Sequence, residues 1–394
     1  MPQLVRIGSM MSPRAPIGSG VEPPAHTVNM TSSNMASLRS AIQAVQAGSG
    51  NKKIACLGDS ITAGWGSNTT GSDLQNASRR ANGWPAKLAA LLATEFGISA
   101  NIDNVFSTAG FGTTAQYNVY DPRYVWGANG EFSNAYSMGG TMFAQRNSGS
   151  KSTFTPANQF DRATVYLVNN TGNGFILQGD GVTAVTVTDS GIGFVRREIP
   201  VTFPGLTTAF GWSSSTLTPV SLCGIQTWNS AASQLFVANI GRGGWTSTDF
   251  AAGAQSANYG PMVMLGLYAP DFSIINYRVN DENNAIGVET YRTNLRAIVD
   301  KCLLTGGAML LGEGPTDDGS PHADYPTQAL YRQVQIDVAI EKGIAFCDAE
   351  AIFGTWETAN ANGYMYDVSH KNAVGYAKEA QDVLLPCFQF AMAA

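Results

Sequence analysis

The chain has 394 residues, of which 44% are hydrophobic and 13% are charged, so it is a folded globular protein and not a disordered one. Its net charge of −6 and the lack of a Lys/Arg run exclude a typical nucleic-acid-binding protein. There is no run of about 18 apolar residues, so no membrane span is predicted. The N-terminal stretch lacks the apolar segment of a secretory signal, which leaves a cytoplasmic location or export by a non-standard route.

The N-terminal 50 residues are rich in Ser, Pro, Gly and Met, and they predict a tail or an arm that packs on the rest of the chain. One short helix is predicted in it, at residues 35–46. A regular α/β pattern then begins. Apolar residues 54–57 predict a buried parallel strand, residues 84–96 a helix that ends at Gly97, and residues 98–106 the next strand.

From about residue 111 to residue 234 the helical periodicity disappears. Short alternating segments separated by Gly, Asn, Asp and Pro predict strands at 164–168, 174–177, 182–188 and 195–201. Evenly spaced short strands of this kind are typical of a β-sandwich or jelly-roll-like module.

After residue 235 the α/β pattern returns. It predicts strands at 235–239, 272–277, 308–311 and 344–347, and helices at 288–304, 328–341 and 373–388, the last broken near Pro386. Strands that alternate with helices predict a parallel sheet covered by helices on both faces. The predicted division is therefore a tail or arm (1–50), a split α/β domain (51–115 plus 235–394) and an inserted β-rich module (116–234).

Five cysteines lie far apart, and no Cys-x-x-Cys pair occurs, so neither a zinc knuckle nor a thioredoxin-type site is predicted. Cys56, Cys302 and Cys347 lie in or beside apolar runs, which indicates small core residues. The prediction from sequence is that the protein needs neither a metal nor an organic cofactor.

Gly58-Asp59-Ser60 follows the first predicted strand, at the edge of a parallel sheet where active sites gather. A serine at such a turn can expose its hydroxyl and offer its backbone N–H to a developing oxyanion. Ser60 is therefore a candidate nucleophile, although the tripeptide alone also suits an ordinary turn.

A serine nucleophile needs a base, and the sequence offers His26, His322 and His370. His26 lies in the N-terminal arm and His322 in a loop rich in Gly, Pro and Asp. His370 follows Asp367 by three residues, just before the last predicted helix. One short loop can thus supply both the base and the carboxylate that orients its imidazole.

These motifs resemble those of the SGNH (GDSL) hydrolase family. The Gly58–Thr62 stretch matches the first block of the family, and Asp367-x-x-His370, followed by Asn372-Ala373-Val374-Gly375-Tyr376, matches its last block. The resemblance implies a three-layer α/β/α fold and a catalytic set of Ser60, Asp367 and His370.

The resemblance also implies an oxyanion hole formed by Ser60, a glycine and an asparagine. Asn280 follows an apolar strand and stands before Asp281, but Arg278 replaces a glycine of the family pattern, which alters the backbone or brings a cation to the rim of the site. Gly244 fits the pattern Asn-x-Gly-x-x-Gly-x-Thr, and Gly112 is the alternative.

The expected function is ester hydrolysis through an acyl-enzyme, with a small-molecule or polysaccharide ester as substrate. Removal of a short acyl group, acetyl, from a carbohydrate is the favoured reaction. A lipase or thioesterase of the same family, and a non-catalytic glycan-binding or structural protein of a tail or adhesin, are the alternatives. Aromatic residues near the inserted module are candidates for stacking on sugars: Tyr124, Trp126, Tyr136, Tyr166, Trp212 and Trp228.

Overall fold

The structure is a computed structural model that describes residues 21–67, 78–106, 113–133, 137–140, 142–146, 150–169, 175–179, 185–187, 195–217, 220–252, 260–319 and 323–394. The strands are β1 (Thr27–Val28), β2 (Lys52–Gly58), β3 (Ser99–Asn101), β4 (Asn104–Val105), β5 (Tyr124–Val125), β6 (Gly130–Ser133), β7 (Met142–Gln145), β8 (Ser152–Phe154), β9 (Phe160–Asn169), β10 (Phe175–Gly179), β11 (Val185–Val187), β12 (Val195–Thr207), β13 (Phe210–Ser214), β14 (Val220–Trp228), β15 (Gln234–Gly241), β16 (Phe272–Asn276), β17 (Gly307–Leu311) and β18 (Ala345–Cys347).

The helices are α1 (Ala36–Gln46), α2 (Ser60–Ala63), α3 (Ser78–Asn82), α4 (Trp84–Phe96), α5 (Thr114–Tyr120), α6 (Ser247–Ala251), α7 (Pro261–Tyr268), α8 (Val279–Asn283), α9 (Val288–Leu303), α10 (Tyr325–Lys342), α11 (Glu350–Phe353), α12 (Trp356–Ala361), α13 (Ala373–Lys378) and α14 (Leu385–Ala393). A π-helical turn, Glu379–Leu384, joins the last two.

A seven-stranded sheet forms the centre of the molecule, in the order β1-β18-β17-β16-β2-β15-β3. The strands run parallel except β1, which pairs antiparallel with β18 at the edge. Ile54 and Cys56 of β2 face one helical layer, and Ala55 and Leu57 face the other. Because successive side chains of a strand point to opposite faces, a strand buried on both sides needs the continuous apolar run that the sequence shows.

The two helical layers bury separate hydrophobic clusters. One layer contains α1, α4 and α14, and the other contains α7, α9 and α10. Helices therefore cover both faces of the sheet, as the sequence predicts. No helix within the described ranges is long and apolar enough to cross a bilayer.

Between β3 and β15 the chain forms two antiparallel sheets, β11-β10-β13-β8-β5 and β12-β9-β14-β7-β6, with β4 paired to β14. Side chains of both sheets share one hydrophobic cluster. Asp103 stands at the start of this region, and its carboxylate accepts hydrogen bonds from the backbone N–H groups of Ala157 (2.9 Å) and Asn158 (3.2 Å).

One expectation about elements is wrong and one is confirmed. Residues 98–106 do not form one strand: β3 pairs with β15 in the central sheet, whereas β4 pairs with β14 in an antiparallel sheet. The last helix is interrupted near Pro386, as expected, because the π-helical turn ends at Leu384 and α14 begins at Leu385. Proline lacks an N–H, but Pro386 lies in the first turn of α14, and the wider π-helical turn before it accommodates the ring.

Three of the six aromatic candidates for sugar stacking are unavailable for that role. Tyr124, Tyr166 and Trp212 are buried to 1% exposure or less, so their rings cannot meet a glycan. Trp126 and Trp228 are half-buried. Tyr136 lies outside the described residues.

Candidate active site

Ser60 lies at the end of β2, as the first residue of α2. Gly58 must be a glycine, because a Cβ there would meet Thr62 Oγ1 at 2.1 Å and Asn276 O at 2.6 Å. Asp59 then caps the short helix, its carboxylate accepting the N–H of Ile61 at 2.8 Å. The tight turn presents Ser60 at a helix N-terminus, where the backbone dipoles favour negative charge.

His370 and Asp367 are next to this serine. His370 Nε2 lies 2.8 Å from Ser60 Oγ, and its Nδ1 lies 2.9 Å and 3.0 Å from the two carboxylate oxygens of Asp367. Burial raises the pKa of the Asp367 carboxyl, but hydrogen bonds and charge from His370 outweigh burial and lower that pKa to about 2. An ionised Asp367 holds a proton on Nδ1, which leaves Nε2 free to accept one from Ser60.

The loop that carries the base is fixed by its own backbone. The carboxylate of Asp367 also accepts the N–H groups of Ser369 (2.9 Å) and His370 (2.7 Å). Trp65 packs beside the imidazole, with 5.9 Å between ring centroids. Of the other two histidines, His26 bonds to Val383 O and His322 lies outside the described residues.

The candidate oxyanion donors are connected to the nucleophile turn. The N–H of Arg242 donates to Gly58 O (3.0 Å), which ties the loop after β15 to the end of β2. In that loop Gly244 is exposed and has φ +80°, a conformation that favours glycine. The backbone N–H groups of Ser60 and Gly244 make no hydrogen bond within the described part of the chain. The alternative, Gly112, is outside the described residues.

Asn280 lies beside the same turn. Its amide Nδ2 donates to Asp59 Oδ2 (3.2 Å) and to Trp245 O (3.0 Å), so both hydrogens already have partners. To bind an oxyanion, the amide must exchange one of these two bonds. The bond to Asp59 is the longer, and its strength depends on whether that carboxyl is charged.

Asp59 is one half of a buried carboxyl pair. Glu313 is its acidic neighbour, and both side chains are 1% exposed or less. Two carboxyl groups in contact can share one proton but cannot both ionise cheaply. Burial and the charge of Glu313 raise the pKa of Asp59 well above its usual range. Burial raises the pKa of Glu313 as well, but Arg278 and Lys371 favour its ionised form, so the shared proton belongs mainly to Asp59.

Arg278 does not lie at the rim of the site. It is 1% exposed, its Nη1 lies 2.5 Å from Glu350 Oε1, and its Nη2 donates to Gly314 O at 2.6 Å. The residue that replaces the glycine of the family pattern is thus a buried counter-ion for the acidic groups behind the serine, and its guanidinium has no access to substrate.

Asp281 joins the segments that carry the two candidate oxyanion residues Gly244 and Asn280. Its carboxylate accepts the hydroxyl of Ser247 (2.6 Å) and the N–H of the same residue (2.9 Å), at the start of the helix that follows the Gly244 loop. Burial raises the pKa of Asp281, and although the bonds from Ser247 oppose this, the result is about 7.

The free energy of unfolding should therefore depend on the protonation of Asp281. Its folded pKa is higher than the unfolded value of about 3.9, so stability is lost as pH rises toward 7. An asparagine side chain stays neutral at every pH. The free energy of unfolding of Asp281→Asn, relative to that of wild type, is therefore expected to rise by about 3 kcal/mol from pH 5 to pH 8. Urea unfolding at both pH values measures this, with the exposed Asp300→Asn as baseline. A fall in the relative free energy of unfolding of Asp281→Asn over this pH range would contradict the prediction.

Several residues of the site carried no role in the sequence analysis: Asp59 as the partner of Asn280, Glu313, Ser247 and Trp65. Asp59 and Asp281 stand inside recognised motifs, so the motifs themselves could have directed attention to them. Glu313 follows the apolar strand β17, and a lone acidic residue after a strand is no specific signal.

Residues 207–378 match the model of the GDSL-like lipase/acylhydrolase family. This range contains Gly244, Asn280, Asp367 and His370, but not Ser60. A comparison with curated protein sequences gives no significant match.

Among solved structures, a peptidoglycan O-acetylesterase aligns over 94% of this chain and 99% of its own, with a TM-score of 0.67 and 18% identity. A family two carbohydrate esterase from Cellvibrio japonicus aligns over 68% and 98%, with TM-score 0.28 and 12% identity. An acetylxylan esterase from Geobacillus stearothermophilus aligns over 40% and 74%, with TM-score 0.31 and 19% identity. The first of these shows a shared fold along nearly the whole chain. The family match thus covers residues 207–378, and the fold shared with the peptidoglycan O-acetylesterase extends over nearly the whole chain.

Proposed function

We propose that the protein hydrolyses esters through an acyl-enzyme formed on Ser60. The observation that carries this proposal is the 2.8 Å contact between Ser60 Oγ and His370 Nε2, with Asp367 on the other ring nitrogen. His370 takes the hydroxyl proton as Ser60 attacks the carbonyl carbon, and then returns that proton to the leaving alcohol. Water, deprotonated by the same imidazole, attacks the acyl carbon and releases the acid and Ser60.

The tetrahedral intermediate carries a negative oxygen. The donors we assign to it are the backbone N–H groups of Ser60 and Gly244 and the side-chain amide of Asn280. The loop of Gly244 is tied to the Ser60 turn by the hydrogen bond from Arg242 N–H to Gly58 O, which fixes these two backbone donors relative to each other. The Asn280 amide must exchange its hydrogen bond to Asp59 or to Trp245 as the charge develops.

We propose a short acyl group, acetyl, on a carbohydrate as the substrate. The support is the fold shared with a peptidoglycan O-acetylesterase, whose chain is matched over 99% of its length. That alignment covers 94% of the present chain, so it extends through the two antiparallel sheets as well as the α/β part. We further propose that residues 116–234 form an inserted sandwich-like module in a domain split into 51–115 and 235–394.

The test compares p-nitrophenyl acetate with butyrate and octanoate esters, and then measures acetate release from O-acetylated peptidoglycan and from acetylated xylan. A decrease in kcat/KM with chain length and release of acetate from one polymer are expected. Faster hydrolysis of octanoate than of acetate would overturn the acetyl assignment. If the folded protein hydrolyses none of these esters, the proposed hydrolytic function toward them is wrong.

Asn280→Ala is expected to lower kcat by roughly 10²- to 10³-fold with KM little changed, because an oxyanion donor acts mainly in the transition state. Steady-state kinetics on p-nitrophenyl acetate measures this. Asn284→Ala, one helical turn away, provides the control, since the Asn284 side chain is exposed and, among the described residues, donates to Asn280 O. A rise in KM alone would assign Asn280 to ground-state binding.

Glu313→Gln is expected to lower kcat by about tenfold or more, a loss of at least about 1.4 kcal/mol in transition-state stabilisation. The new glutamine amide can donate to an ionised Asp59 without a shared proton, so Asp59 gains a negative charge beside Asn280. That charge strengthens the hydrogen bond from the Asn280 amide to Asp59, so the amide is less free to bind the oxyanion, and it also repels the oxyanion. The pH profile of kcat measures the effect, with the exposed Glu357→Gln as control. An unchanged kcat and profile would show that the carboxyl pair has only a structural role.

A further inference from the structure

Three potential metal ligands from distant segments meet beneath the central sheet. His26 stands just before β1 in the N-terminal arm, Cys347 is the last residue of β18, and Cys387 lies in α14. One ligand atom from each lies within 4.8 Å of the other two. The two sulfur atoms are 3.3 Å apart. This cluster shares no residue with the Ser60 turn or with the loop of Asp367 and His370, and the proposed reaction does not use it.

All three side chains converge on one backbone oxygen. Val383 O, in the π-helical turn, lies 2.8 Å from His26 Nε2 and 3.3 Å from the sulfur of each cysteine. Two sulfurs, one nitrogen and one oxygen thus surround a small space. In a tetrahedral zinc site with Zn–S of about 2.3 Å and Zn–N of about 2.0 Å, ligand atoms are roughly 3.3–3.8 Å apart. Three separations here, that between the two sulfurs and those from each sulfur to Val383 O, already match at 3.3 Å, whereas the 2.8 Å from His26 Nε2 to Val383 O must lengthen.

Burial and charge also suit a cation. Both thiols are fully buried and His26 is 9% exposed. The two thiols are weak acids, and as thiolates they would supply negative charge to a bound cation. Another acidic side chain nearby, Asp348, is paired with Arg332 and does not compete for the same role. A thiolate in such a place needs a positive partner, because an isolated buried charge is costly.

We propose that His26, Cys347 and Cys387 form a structural site for a thiophilic cation, Zn²⁺, with the carbonyl oxygen of Val383 as the fourth ligand. Metal binding releases the thiol protons, and the imidazole binds as the neutral ring. The ion would join the start of β1 to the end of β18 and to the last helix. The inference goes beyond the proposed function, since neither Ser60 nor its partners take part.

The test uses the full chain, expressed with added Zn²⁺ and purified without a metal-affinity tag. Elemental analysis is expected to find one equivalent of zinc. Replacement by Co²⁺ is expected to give thiolate-to-metal charge-transfer absorption and the intense visible bands of tetrahedral cobalt. Titration of the denatured, metal-free chain should find all five thiols of the sequence. The proposal would be overturned if the protein held much less than one equivalent of zinc and the cobalt form showed no such bands. It would also be overturned if titration found only three thiols, because the other two had formed a disulfide.

Variants locate the site. His26→Gln is expected to weaken Zn²⁺ binding by more than about a hundredfold, since loss of an outer-sphere partner alone costs about 10- to 100-fold. Cys387→Ser should abolish the cobalt charge-transfer bands, whereas Cys302→Ser, another buried cysteine, should leave them unchanged. If Cys387→Ser does not fold, His26→Gln still decides the result, because His26 lies in the arm. Full zinc affinity in His26→Gln would overturn the assignment. Ser60→Ala should bind zinc normally, which separates this test from that of the hydrolytic function.

Discussion

Ser60→Ala is expected to lower kcat/KM for p-nitrophenyl acetate by roughly 10⁴- to 10⁶-fold. The substitution removes the atom that forms the acyl-enzyme, while the oxyanion donors stay in place and account for any residual rate above that in water. Among the described residues, the side-chain hydrogen bond lost is that to His370. The free energy of unfolding should therefore change by only about 1 kcal/mol.

Steady-state kinetics and thermal unfolding, measured on the same preparations, separate loss of chemistry from loss of fold. Ser40→Ala is the matched control, because Ser40 is exposed on α1, in another part of the fold. Mass spectrometry after brief reaction with a fluorophosphonate should show one adduct on wild type and none on Ser60→Ala. Wild-type activity in Ser60→Ala would assign the nucleophile elsewhere.

Asp367→Asn is expected to lower kcat by about 10⁴-fold with little change in structure, as loss of the orienting carboxylate does in a serine triad. Asp367 has a pKa of about 2, so its carboxylate is ionised at neutral pH, and both carboxylate oxygens face Nδ1 of His370. An asparagine can turn its NH2 group toward Nδ1, which places the ring proton on Nε2. That nitrogen then faces Ser60 as a donor and cannot act as the base.

The pH profile of kcat/KM and thermal unfolding are the measurements for Asp367→Asn, and the exposed Asp300→Asn is the control. A second group could orient the imidazole: Ser369 Oγ lies 3.2 Å from Nδ1 of His370. Retention of more than about a tenth of the activity in Asp367→Asn would show that this hydroxyl suffices and that the carboxylate is dispensable. In that case Ser369→Ala in the Asp367→Asn background should abolish the remainder.

Local sequence determined much of this protein. The apolar run of β2 and the glycine and capping acid after it specify a strand, a tight turn and a short helix, and together they place Ser60. Asp367 and His370 are three residues apart in one loop, so their contact needs no long-range packing. Helical periodicity likewise gives α4, α9 and α10 within a few residues of their observed bounds, because hydrogen bonds and caps within an element depend on near neighbours.

Tertiary packing decided the rest. Asp59 and Asn280 bond across 221 residues of sequence, and no local pattern encodes that contact. Whether Arg278 lines the site or neutralises buried acids depended on which elements pack against it. The same holds for His26, which the sequence places in an arm and the fold places beside two distant cysteines. The motif thus identified Ser60 as the candidate nucleophile, but only the packed structure brings the two acidic groups Asp59 and Glu313 together behind it, which raises the pKa of Asp59.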